Sequence, residues 1–130
     1  MKKILVTFSV LTAMIIIMSS NVFANSYSTT LTMAPDTILS GSPRSFDAGT
    51  YKISMYPTSF YNFAYCDIII DLYKKDLVGK TFIVGAEEVM SPINTTYVFE
   101  RGYHKSFNAF YYFKLVHGGI SANPVILYTE

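Results

Sequence analysis

The chain has 130 residues, with ten Lys and Arg against nine Asp and Glu, for a formal net charge of +1. A balance so near neutral supplies no long-range field toward nucleic acid or anionic lipid, and argues against both as partners. One cysteine, Cys66, excludes an internal disulfide framework, so stability must come from packing.

In chain order, residues 1–24 read as a secretory signal. Lys2 and Lys3 precede an apolar run from Ile4 to Met18, and Val22 and Ala24 supply the modest side chains that signal peptidase needs. Cleavage is predicted after Ala24, giving a secreted, extracellular protein. The run of 15 residues is shorter than the roughly 20 a spanning helix requires, so no membrane insertion is expected. Removal of 24 residues leaves 106, enough for one domain over 25–130, and loss of Lys2 and Lys3 turns the net charge to −1.

Strand patterns dominate that domain. Residues 27–33 alternate, with Tyr27, Leu31 and Met33 in one register. Residues 50–56 place Tyr51, Ile53 and Met55 on one face, and Pro57 is expected to end the strand. In 64–74, Cys66, Ile68, Ile70 and Leu72 share a wholly apolar face opposite Asp67, Ile69, Asp71 and Tyr73. That alternation predicts a buried, unreactive Cys66; the alternatives are an intermolecular disulfide and a cysteine–histidine nucleophile. Short strands follow at 81–85, 95–101, 109–116 and 124–129, with 86–90 read as a single helical turn. About seven short strands separated by Gly, Pro and Ser turns predict an all-β, single antiparallel β-sandwich.

Catalytic and metal signatures are missing: there is no HExxH, no GxSxG and no phosphate-cradling glycine loop. Asp67 and Asp71 lie four positions apart on a strand, roughly 13 Å between Cα atoms, too far to share one calcium ion. No catalytic residue, metal or cofactor is therefore predicted. His104 and His117 are the residues that a small secreted enzyme or toxin would use as base.

Two aromatic stretches are the candidate contact surface. One holds Tyr56, Phe60, Tyr61 and Phe63, with Tyr65 after them; the other holds Tyr103, His104 and Phe107, with Phe110 and Tyr112 after them. Exposed aromatic rings stack on sugar faces and their polar tips hydrogen-bond hydroxyls. The expected role is a non-catalytic binding module for extracellular polysaccharide, cell wall or a protein partner. A self-assembling structural protein that pairs open sheet edges is the further alternative.

The segments 45–55, 67–75 and 110–119, with Gly49-Thr50-Tyr51 and Asp71-Leu72-Tyr73, resemble the pattern of small jelly-roll and pre-peptidase C-terminal-type domains of secreted bacterial proteins. Here the two tripeptides occur in the reverse of the usual order. The resemblance implies a jelly-roll-like sandwich with an accessory, non-catalytic role, and it carries over no ligand residues.

Overall fold

A computed structural model describes residues 26–130; the predicted signal segment and its cleavage site lie outside them. The strands are β1 (Tyr27–Met33), β2 (Ile38–Ser40), β3 (Arg44–Phe46), β4 (Gly49–Tyr61), β5 (Cys66–Lys75), β6 (Lys80–Met90), β7 (Tyr97–His104), β8 (Phe107–His117) and β9 (Gly119–Thr129). One sheet has the order β1-β9-β4-β7. The other has β2-β8-β5-β6, with β3 also paired to β8. Every pairing is antiparallel.

The pairing has a simple logic. β1 pairs with β9, β2 and β3 with β8, β4 with β7, and β5 with β6. Each is a rung of one long hairpin closed at the β5–β6 turn and rolled so that successive rungs fall in opposite sheets. This is the jelly-roll winding of a β-sandwich.

Alternation correctly sorts the core. Cys66, Ile68, Ile70 and Leu72 face Tyr51, Ile53 and Met55 across the sandwich, with Tyr111, Phe113 and Leu115 from β8 between them and the β2 edge. Burial pushes the Cys66 thiol up to about 12, aided by the neighbouring Asp67 charge, so the nucleophilic thiolate is scarce.

Three local expectations change. First, there are nine strand segments among the described residues: β2 and β3 lie in line along β8, interrupted at 41–43, where the Gly41 N–H donates to the Tyr111 carbonyl at 2.8 Å. Second, residues 86–90 continue β6 instead of turning, because Ala86, Glu88 and Met90 pair opposite Ile70, Ile68 and Cys66. Third, Pro57 does not end β4. The register skips on both sides of it, and these irregularities accommodate a residue with no N–H in an interior strand.

Arg101 is 3% exposed and ties the two sheets together at the β6–β7 side. Its Nε donates to the Ile70 carbonyl at 2.8 Å, and one terminal nitrogen donates to Glu88 Oε2 and to the Glu100 carbonyl, each at 2.8 Å. The guanidinium fork suits this task, since it satisfies carbonyls and a carboxylate at once. Among the described residues, no helix is long and apolar enough to cross a membrane.

Candidate functional site

The winding places the loops at two ends of the sandwich. One end carries the β4–β5 loop (62–65), the β6–β7 loop (91–96) and the β8–β9 turn at Gly118. The other carries the β3–β4 connection (47–48), the β5–β6 tip (76–79) and the β7–β8 turn (105–106).

Register then separates the predicted residues. Tyr61 pairs with Gly119 at the first end, whereas Tyr103 pairs with Thr50 at the second. Thr50 and Tyr61 are both on β4, and at about 3.3 Å per residue they are roughly 36 Å apart. The expectation of one continuous surface from both aromatic stretches is corrected: Phe60, Tyr61 and Phe63 belong to one end, and Tyr103, His104 and Phe107 to the other. Tyr56 is half-buried on β4, in the register opposite to the core residues Met55 and Pro57.

At the second end most of the rings serve packing. Tyr51 is fully buried, stacks on Phe107 at 5.1 Å and meets His104 edge-on at 5.5 Å. Its hydroxyl donates to the Lys105 carbonyl at 2.9 Å, and burial raises its pKa to about 12. His104 Nε2 lies 2.5 Å from the Arg101 carbonyl oxygen. Because a carbonyl only accepts, Nε2 carries the proton and donates it. The ring is thereby committed to bracing the β7–β8 turn. Tyr103 is the outlier: 73% of it is exposed, beside a shallow hollow of about 540 Å³ that Lys74, Ile83 and Lys105 also border.

The first end is a ring platform. Phe63 stacks on His117 at 4.4 Å with an 18° tilt, and Tyr65 lies 5.8 Å from each of them. Phe63 remains 45% exposed, and Tyr61 beside it is also exposed. Phe60, Phe63, Ala64, Pro92 and Ile93 bound a hollow of about 290 Å³. All five are uncharged.

Local sequence explains how the platform is held. Asn62 and Asn94 adopt left-handed φ values of 74° and 60°, a conformation that Asn tolerates and most residues resist. Gly118, at φ 72°, joins β8 to β9 in a one-residue turn; a Cβ there would lie 2.9 Å from the Tyr65 carbonyl. Glycine thus lets the turn tuck beneath the 62–65 loop and brings His117 under Phe63. The β6–β7 loop is pinned by the Asn94 N–H donating to the Pro57 carbonyl at 2.8 Å and by the Tyr97 hydroxyl donating to Pro92 at 2.7 Å. Tyr61 is tethered to Ser121 through hydroxyls 2.5 Å apart. Tyr65 belongs to the expected aromatic stretch, whereas His117 and Ile93 join it only through the fold, because alternation within a strand carries no information on which loops meet.

Asp67 is the cross-strand neighbour of His117, but its carboxylate also stands beside Glu87, whose pKa it raises. Asp71 sits over Gly85, where a Cβ would come 1.7 Å from its Oδ1. Among the described residues, no group of three His, Cys, Asp or Glu side chains is arranged to hold a metal ion.

No family model matches the chain, and no curated protein matches it. The resemblance to pre-peptidase C-terminal-type domains therefore gains no support beyond the sandwich architecture. Among solved structures, the crystal structure of the Yersinia pseudotuberculosis-derived mitogen is similar, with a TM-score of 0.45 and 14% identity over 82% of this chain and 86% of that one.

Proposed function

We propose that the chain is a non-catalytic binding module and that the Phe63 platform takes a ring of a neutral polysaccharide. The observation that carries the reading is an exposed Phe63 stacked flat on His117, with Tyr65 tilted against both rings, next to a hollow without charge. An aromatic face offers its π-surface to the C–H face of a sugar, while Asn62 and Asn94 at the rim supply amide donors and acceptors for hydroxyls. A charged rim would instead favour acidic or basic ligands. Loops pinned by backbone hydrogen bonds present the platform already ordered, which lowers the entropy lost on binding.

The test is a titration of neutral glycans against the chain beginning at Asn25, which contains every described strand and the core they form. Phe63→Ala should weaken binding about tenfold, the scale of one lost stacking contact, with the melting temperature unchanged. Equal affinity for the variant and the parent would reject the platform. Tyr103→Ala, at the opposite end, should have no effect on this affinity.

A further inference from the structure

The β5–β6 tip carries two uncovered aliphatic side chains. Leu77 and Val78 are 104% and 98% exposed. The turn that carries them is nevertheless rigid. Asp76 accepts hydrogen bonds from the Val78 and Gly79 N–H groups at 3.2 and 2.9 Å, and its own N–H donates to the Gly79 carbonyl at 3.0 Å. Gly, Asn, Asp and Ser are the residues that turn chemistry favours at such positions. Two aliphatic side chains held outward by a fixed turn break that local rule with no gain in packing, as functional sites do.

The surroundings are cationic. Lys74, Lys75 and Lys80 flank the tip, with Lys75 paired directly opposite Lys80. Lys105 joins them, since it borders the same hollow as Lys74 and the exposed Tyr103. Among the described residues none of these four has an ion-pair partner; the pairs formed are those of Lys52 and Arg101. Asp47, Asp76 and Glu130 are the opposing carboxylates among the described residues at this end; Asp76 is occupied by the turn's own N–H groups and Glu130 by Lys52. The chain's near-zero net charge bears on long-range steering, not on this local concentration of positive charge.

From these observations we infer that the β5–β6 tip docks on an anionic lipid bilayer, with Leu77 and Val78 entering the headgroup–acyl boundary and the lysines meeting lipid phosphates. The tip is convex and small. A stable protein interface needs on the order of 1,000 Å² or more of buried surface, which two side chains cannot supply. Reversible membrane binding needs only a short apolar wedge together with basic residues, each lysine near an anionic surface contributing about fivefold. Tyr103, an amphipathic ring beside the lysines, fits the headgroup level. The docking surface lies at the opposite end from the Phe63 platform, so neither reading depends on the other.

The chain has no tryptophan, so Leu77→Trp places a single reporter at the tip. In the chain beginning at Asn25, its emission should shift to the blue on adding phosphatidylcholine vesicles with 30% phosphatidylglycerol, and stay unshifted with phosphatidylcholine alone. In co-sedimentation with the anionic vesicles, Leu77→Ser/Val78→Ser should weaken binding at least about tenfold, and Lys74→Gln/Lys75→Gln about twentyfold. Neither pair should alter the melting temperature, because both are exposed. Absence of a blue shift, or vesicle binding that survives Leu77→Ser/Val78→Ser, overturns the inference. A concentration-dependent dimer abolished by the serine pair, without vesicle binding, assigns the tip to a second copy and overturns it too.

Discussion

Replacing Arg101 by Ala tests the clasp between the two sheets. The side chain is 2% exposed and spans from β7 to both β5 and β6. Truncation leaves the Ile70 carbonyl and the Glu88 carboxylate without their donor. Breaking a buried ion pair by removing one partner costs about 3–5 kcal/mol. Glu88 keeps a 22% exposed side chain and can recover some hydration, which places the expected loss near the lower end, about 3 kcal/mol. Against a total stability of roughly 5–15 kcal/mol this is a large fraction. For a domain of this size it corresponds to a fall in Tm on the order of 12–15 °C. Urea unfolding followed by far-UV circular dichroism measures it directly. A double-mutant cycle with Glu88→Ala should return a coupling of about 1–3 kcal/mol. Arg101→Lys should restore only part of the loss, because an ammonium cannot fork between a carbonyl and a carboxylate. If Arg101→Ala stays within about 0.5 kcal/mol of the parent, as surface substitutions do, or the cycle shows no coupling, the clasp does not hold the sheets together.

Cys66 should resist a thiol reagent in the native state and react fully only after unfolding, since it is entirely buried and its pKa stands near 12. Rapid native-state labelling would reverse the assignment of inner and outer faces on β5. The Asp67 carboxylate beside Glu87 raises the Glu87 pKa in the folded state. A raised folded pKa contributes stability that is present at low pH and lost as pH climbs from the ordinary glutamate range through the raised value. Glu87→Gln keeps a donor toward Asp67 and removes the repulsion between two carboxylates. Its Tm should exceed the parent's at pH 7 and match it at pH 4; a difference independent of pH would refute the repulsion between Glu87 and Asp67.

The distribution of side chains between faces was legible in the sequence, residue by residue. Cys66, Ile68, Ile70 and Leu72 alternate with Asp67, Ile69, Asp71 and Tyr73 because a pleated strand turns successive side chains to opposite sides, whatever the rest of the chain does. The same phase carries a clue about Arg101, which falls in register with the half-buried Tyr97 and Phe99 and is itself buried on their inner side.

Other features depended on tertiary structure. Residues 86–90 became strand because Met90 lies opposite Cys66 and Glu88 meets Arg101, partners distant in sequence. Tyr61 and Tyr103 look equivalent as loop aromatics, yet the winding of the hairpin puts them at opposite ends of β4. Net charge is a sum over composition, and it carries no record of where charges lie. Lys74, Lys75 and Lys80 already flank Leu77 and Val78 within the charged turn 74–80; folding brings Lys105 beside them and leaves the two aliphatic side chains uncovered. Alternation is a local property of the backbone, whereas the meeting of loops follows from long-range strand pairing, which no short window of sequence contains.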